Sequence, residues 1–147
     1  MERFDGAIPG PGPFVHPENA PFWNAIAAGD LVLQRCIECG TLRFPVAPFC
    51  FACLSPRTEL AAIDPVGATS SVIEIDRAVG DQQWSVAVPF LTGLVDMSVG
   101  VRLPGRIFCV CGEARHHGTP VTAVGVPTID AGAIYAFVHD CCEPITT

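Results

Sequence analysis

Two Cys-x-x-Cys pairs, Cys36/Cys39 and Cys50/Cys53, stand ten residues apart, and no other feature constrains the fold of this chain so tightly. Knuckles at that spacing bring four thiolates within reach of one ion. A four-sulfur shell suits zinc, which takes soft ligands in a tetrahedron, and leaves no coordination position open for a substrate. The spacing therefore predicts a structural metal centre built from Cys36, Cys39, Cys50 and Cys53. Gly40, directly after the first pair, supplies the backbone freedom that a tight turn beneath a metal needs. Eight unrelated core cysteines would not produce two matched knuckles so close together.

A chain of 147 residues makes one ordinary domain, or a small metal module joined to one compact domain. Its net charge of −7 and pI of about 4.8 argue against an electrostatic grip on nucleic acid or an anionic membrane. Lysine is absent and all eight cations are arginine, so any phosphate held by a side-chain cation must be held by arginine. Charged residues form 16% of the chain and hydrophobic ones 50%, against about 25% charged in a typical soluble domain. A surface so short of charge predicts that part of it is covered by another protein. An alanine- and valine-rich composition with a bland surface is the plainer alternative.

Residues 1–14 have an acidic start and no apolar core of a signal peptide. No apolar run reaches the roughly 18 residues of a membrane span; the richest, 86–95, is interrupted by Pro89, Thr92 and Gly93. The expectation is a cytoplasmic chain that does not meet a membrane, where reducing conditions favour metal over disulfides.

Four prolines and three glycines in residues 6–17 predict an extended arm. Residues 18–28 then read as a helix, with Asn19 as its cap, Pro21 in the first turn and Gly29 at the end. Phe22, Trp23 and Ile26 share one face. That stripe packs either on this protein's own core or on a partner, and a helix ahead of a small metal module has little core of its own. Residues 30–35 and 41–44 read as strands flanking the first knuckle, the plan of a zinc ribbon, and 54–65 as a link. Beyond it, residues 69–77, 86–97, 99–110, 119–126 and 133–139 read as five strands with turn signals between them. Five strands in so short a segment predict a small closed barrel, for which the OB-fold is the common solution. The expected fold is thus mainly β: an arm (1–17), a helix plus rubredoxin-like zinc ribbon (18–60), a five-stranded OB-fold barrel (61–140) and a tail (141–147).

Phe22-Trp23, the run Gly29-Asp30-Leu31-Val32-Leu33-Gln34-Arg35-Cys36, then Cys39-Gly40, Phe44-Pro45, Cys50 and Cys53 resemble the acyl-CoA-associated zinc-ribbon plus OB-fold proteins, the family catalogued as domain of unknown function 35. Gly67 with Arg77, Pro89-Phe90, Val95-Asp96, Gly100, Arg102 and Gly118 to Val121 are similar to its barrel strands. The likeness runs from about Pro21 to about Asp140. It implies a zinc-binding accessory subunit, without catalytic residues of its own, encoded beside and bound to a thiolase-like protein. The pair would act on acyl-CoA as a thiolase, acyltransferase or retro-aldolase, with acyl-CoA at the interface. The chain departs from the pattern at Pro45-Val46-Ala47, where the family usually has Pro-Pro-Arg, and at Gly67, which stands without a second glycine. Cys109-Val-Cys111 and Cys141-Cys142 have no counterpart in it. With the helix stripe, these considerations make Phe22 and Trp23 the candidate partner interface.

Other chemistry is less well supported. Cys109 and Cys111 alternate on a strand and so can face the same way. A second metal site would need His116, His117 or His139 to join them through the tertiary fold. The expectation is that Cys109, Cys111, Cys141 and Cys142 are small buried residues, dispensable for metal content. His139-Asp140-Cys141 looks like a nucleophile with its base, but lies near a chain end. No phosphate loop or nucleophile elbow is present, and the scattered carboxylates (Asp64, Glu74, Asp76, Asp81, Asp96, Glu113, Asp130) read as solvating strand ends. Two alternatives remain: a single-stranded nucleic-acid-binding OB-fold, which wants a basic groove with stacking aromatics, and an iron ribbon for electron transfer. The barrel offers Arg77, Arg102, Arg106 and Arg115 against an acidic total.

Overall fold

The computed structural model describes residues 7–80, 82–130 and 132–142. Helix α1, Ala20–Ala28, carries Pro21 in its first turn and ends at Gly29, whose φ of 96° is the left-handed conformation that glycine reaches without strain. Asn19 stands at the N-cap but its side chain turns backward: Oδ1 accepts the His16 N–H and Nδ2 donates to the Phe14 carbonyl. It therefore fixes the chain entering the helix rather than the helix's own first turn.

Three short strands form the ribbon sheet in the order β2-β1-β3: β1 Val32–Cys36, β2 Leu42–Arg43 and β3 Thr58–Ala62. β3 lies in what the sequence presents as a link. It pairs antiparallel along the whole of β1, and the Ile63 N–H continues the pairing to the Leu31 carbonyl. The ribbon thus reaches Ala62, slightly beyond the expected limit at residue 60. Thr58-Glu-Leu-Ala-Ala carries little strand propensity of its own, and β1 imposes the extended form on it.

The second sheet is a closed barrel in the order β4-β5-β6-β8-β7. Its strands are β4 Val66–Ile75, β5 Phe90–Met97, β6 Arg102–Phe108, β7 Pro120–Pro127 and β8 Ala133–Val138. All neighbours are antiparallel except β6 and β8, which run parallel and pair only through Ile107↔Phe137 and Phe108↔Val138. This is the five-stranded OB-fold topology. β4 bends at a bulge between Thr69 and Ser71, and Gly93 lies beneath it: a Cβ there would stand 2.0 Å from the Ser71 carbonyl oxygen. Only glycine allows that approach, which lets β4 curl around the barrel. Buried Thr69 ties the other flank of β4, donating to the His116 carbonyl at 2.6 Å and accepting the Thr119 N–H at 3.0 Å.

The arm is pinned along the barrel. Ile8 is buried and donates its N–H to the Pro127 carbonyl, Pro9 accepts a bond from Arg106 Nη1 at 2.8 Å, and the Gly12 N–H donates to Asp130 Oδ2 at 2.9 Å.

One hydrophobic core runs from α1 through β1 into the barrel, joining Phe22, Ile26 and Leu33 to Val95, Leu103, Val121 and Phe137, and a second, smaller cluster gathers Ile8, Val124, Val126, Ala136 and Val138. Here the expectation for Phe22 is corrected. Phe22 is 2% exposed and sits in an aromatic cluster with Trp23, Phe44 and Tyr135, at ring-centroid separations of 4.8, 5.8 and 6.5 Å. Trp23 is half-buried and stacks on Tyr135 with the ring planes 8° apart. The helix packs on β8 of the barrel, so it has a core beneath it and Phe22 is unavailable to a partner. Phe22→Ala is expected to lower the stability of the chain by about 3–5 kcal/mol, as truncating a buried aromatic does. Urea unfolding of the zinc-loaded protein measures it, and a loss below about 1 kcal/mol would show that this junction does not hold the two modules together.

Candidate metal centre

Both knuckles are built on the same local plan. In the first, the Cys36 N–H donates to the Thr41 carbonyl and the Gly40 N–H returns to the Cys36 carbonyl. In the second, the Cys50 N–H donates to the Ser55 carbonyl and the Leu54 N–H returns to the Cys50 carbonyl. Each turn needs one residue at positive φ after its second cysteine. Gly40 fills that place at 76° and Leu54 fills it at 63°. A leucine there carries strain of about 1–2 kcal/mol that glycine would not.

The two turns face each other across four sulfurs. Cys36 and Cys50 are buried, and Cys39 and Cys53 are exposed. The Cys36–Cys53 and Cys39–Cys50 sulfur separations are 3.5 and 3.6 Å, and all four sulfurs lie within 4.8 Å of one another. Tetrahedral zinc with bonds of about 2.3 Å holds its sulfurs about 3.8 Å apart, so the set fits the ion and is far too open for a disulfide. Protonation follows the crowding. Burial opposes the Cys50 thiolate, but the backbone N–H groups of Cys53 and Ala52 and the Cys39 and Cys53 sulfurs outweigh it and bring the thiol down to about 6. At Cys53 a bond from the Ser55 backbone favours the thiolate; the Cys36 sulfur, burial and the other two sulfurs overcome it and push the thiol up to about 12. Four thiolates cannot coexist here unless a cation sits among them.

The other cysteines depart from expectation. Cys111 is exposed, and Cys109, Cys141 and Cys142 are partly exposed, so none is fully buried, although Cys109 and Cys142 pack against the core. Cys109, Cys111, His139 and Cys141 place one ligand atom each within 4.8 Å of the others. The signal lay in two x-separated pairs, Cys109-x-Cys111 and His139-x-Cys141, at the ends of strands that prove to be neighbours.

The carboxylates do more than solvate strand ends. Asp96 takes Arg102 Nε and Nη2 at 2.6 and 3.0 Å, which holds its carboxyl below the usual range. Glu74 pairs with Arg115, and Asp130 accepts from Thr128 and Gly12. Arg106 lies over the Phe90 ring, 4.5 Å from its centroid. Three of the four barrel arginines are therefore engaged, and the basic groove that a nucleic-acid reading requires is not formed by them. No helix among the described residues is long and apolar enough to cross a membrane.

Residues 23–59 match the family model described as ChsH2, rubredoxin-like zinc ribbon domain. Across 111 residues the chain is 29% identical to a protein of Thermomonospora curvata (strain ATCC 19995) named "Probable enoyl-CoA hydratase alpha subunit", covering 76% of this chain and 34% of that protein. The chain thus spans about a third of the length of the curated relative it matches. Among solved structures, the one titled "Ltp2-ChsH2(DUF35) aldolase" is similar, with a TM-score of 0.76 and 24% identity over 87% of this chain and 98% of that one.

Because a bound ion must displace thiol protons, metal retention is expected to fall as pH falls. The raised Cys53 thiol sets the sign: its proton is held throughout the physiological range unless metal competes it away. Equilibrium dialysis against a weak chelator at stepped pH should show release on the acid side. Cys39→Ser should abolish retention at this site at any pH while the barrel keeps its far-ultraviolet circular dichroism. Undiminished metal in that variant would exclude Cys39 as a ligand.

Proposed function

We propose, from the premise that this chain belongs to the zinc-ribbon plus OB-fold family (domain of unknown function 35), that it is a zinc-binding accessory subunit of an acyl-CoA-processing complex with a thiolase-like partner. In this reading Cys36, Cys39, Cys50 and Cys53 hold one structural zinc, and the partner carries the catalytic groups. The observation that carries it is the ribbon match at residues 23–59 on a chain whose fold is similar to that of a chain in the structure titled "Ltp2-ChsH2(DUF35) aldolase".

The surface supports docking at the ribbon tip rather than at the helix. Ile37, Phe49, Phe51 and Leu54 project from the two knuckles and are 48%, 58%, 74% and 74% exposed. Zinc fixes the backbone on which all four are displayed, so the tip is a rigid apolar patch of the kind that marks an interface. Leu54 keeps its strained conformation while presenting its side chain to solvent. A glycine would relieve the strain at no packing cost inside this chain, so the side chain's use lies outside it. The reading puts acyl-CoA at the interface with the partner, since Pro45-Val46-Ala47 offers no cation and the barrel arginines Arg102, Arg106 and Arg115 are engaged within the chain.

A second reading, in which the complex hydrates an enoyl-CoA, is favoured by the name of the Thermomonospora relative. Co-expression with an adjacent thiolase-like or hydratase-like gene, co-purification, and acyl-CoA cleavage and enoyl-CoA hydration assays of each part and the pair separate the two. The isolated chain is expected to be inactive. Phe51→Ala is expected to weaken the complex by about 2 kcal/mol, roughly thirtyfold in Kd, with metal content unchanged. Turnover of acyl-CoA by the isolated chain, or indifference to both partners, would overturn the accessory reading.

A further inference from the structure

We propose that the chain binds a second zinc ion, held by Cys109, Cys111, His139 and Cys141 where the barrel closes. Barrel geometry explains why these residues meet. β6 and β8 run parallel, with Phe108 opposite Val138, and the His139 N–H donates to the Phe108 carbonyl at 3.0 Å. The next residues on each side, Cys109 and His139, therefore emerge abreast. Two residues further along each chain, in the turns just beyond the strands, come Cys111 and Cys141, and the turns bring their sulfurs back to the same cluster. Two x-separated pairs, each just past the end of one of two adjacent parallel strands, make a four-cornered set.

The distances fit an ion. Cys109 Sγ lies 3.5 Å from Cys111 Sγ and 3.6 Å from Cys141 Sγ, and Cys111 Sγ lies 3.6 Å from His139 Nδ1. Zinc bonded to sulfur at about 2.3 Å and to nitrogen at about 2.0–2.1 Å requires sulfur–sulfur and sulfur–nitrogen separations of about 3.8 and 3.6 Å. The Ala114 N–H donates to Cys109 Sγ at 3.4 Å, an outer bond of the sort that steadies a ligating thiolate. The Cys141 N–H donates to His139 Nδ1 at 3.3 Å, so that nitrogen carries no proton in this arrangement; the bond is long, and its lone pair would pass from the amide to the ion on binding. Cys142 Sγ stands 3.8 Å from Cys141 Sγ but packs against the core of Val124, Val126 and Val138, outside the set.

Three thiolates and one imidazole form a closed zinc shell, and mixed sulfur and nitrogen ligation favours zinc over an iron–sulfur centre. A Cys141 nucleophile with His139 as its base is the competing use of the same residues. The sulfurs of Cys109 and Cys111 crowd the space that a substrate carbon would need. The ion's work is mechanical. β6 and β8 close the barrel through two residue pairs, whereas β7 and β8 share six. A metal across the ends of β6 and β8 holds the shortest seam shut.

The test is metal counting on the full chain, purified under reducing conditions from zinc-supplemented cells. Wild type is expected to carry two equivalents by mass spectrometry of the metal. Cys111→Ser/Cys141→Ser should carry one, and so should Cys36→Ser/Cys39→Ser. Cys111 is exposed, so the first variant leaves the core intact, and circular dichroism checks this. Should that variant fail to fold, cobalt titration of the demetallated wild type decides. Two ions with the charge-transfer intensity of seven thiolates support the site. One equivalent of metal in wild type, an unchanged count in Cys111→Ser/Cys141→Ser, or cobalt intensity saturating at four thiolates would overturn it.

Discussion

The junction of Phe22, Trp23, Phe44 and Tyr135 is the contact on which the remaining structure depends. Neither the helix nor the ribbon sheet has enough apolar surface alone. A nine-residue helix is too short to persist in water, and a ribbon sheet whose outer strand is Leu42–Arg43 encloses almost nothing. Tyr135 supplies the barrel's share. Its ring meets Phe22, Phe44 and Trp23, and its hydroxyl donates to the Pro104 carbonyl at 2.8 Å. Burial raises the phenol's pKa, so it remains a neutral donor. The hydroxyl also braces the β6 segment at Gly105, where Phe137 leaves no room for a Cβ. Burying one large aromatic gains about 1.5–3 kcal/mol, so the four rings supply a substantial part of what holds two modules in one orientation.

Metal does locally what the junction does globally. The knuckles have no apolar interior: the residues between and beside their cysteines, Ile37, Phe51 and Leu54, point outward. Four sulfurs around an ion replace the missing core and release the apolar side chains for display. That trade explains how a segment can be both rigid and apolar on its outside, which an ordinary hydrophobic fold cannot afford. The orphaned Nη1 of buried Arg43 belongs to the same region. Its Nε donates to Gln34 Oε1 at 2.7 Å and its Nη2 to the Ala47 carbonyl at 3.1 Å, fixing the chain between the two knuckles.

What could be read in the sequence was whatever is local. The knuckle cysteines lie within eighteen residues of one another, so their convergence follows from turn geometry alone. The helix ends were marked by Pro21 and Gly29, and all five barrel strands were visible, to within a few residues, as strand-like runs between turn signals. What escaped depends on pairing between distant segments. β3 is extended because β1 lies beside it. The face of α1 was correctly apolar, but whether it met this protein or another depended on Tyr135, more than a hundred residues away. The Cys109 and Cys141 sulfurs are 32 positions apart and meet only because β6 and β8 pair in parallel, a crossing that no local pattern announces.

Charge distribution connects these points to function. The chain has few charges, and many of those described are spent internally: Arg35 on Glu59, Arg57 on Glu38, Arg102 on Asp96 and Arg115 on Glu74. Exposed pairs of this kind add little stability, about 0–1 kcal/mol each, so their effect is better sought in what they remove from the surface. Each neutralises a cation that could attract phosphate and an anion that could repel an acidic partner. The two pairs in the ribbon, Arg35–Glu59 and Arg57–Glu38, lie on the module that carries the exposed Ile37, Phe49, Phe51 and Leu54. Around an apolar tip, neutralised neighbours lower the desolvation cost of close approach by another protein, whereas free charges would raise it. The ribbon's electrostatics and its exposed side chains are therefore both consistent with the contact proposed above, made through a dry patch that a bound ion would hold rigid.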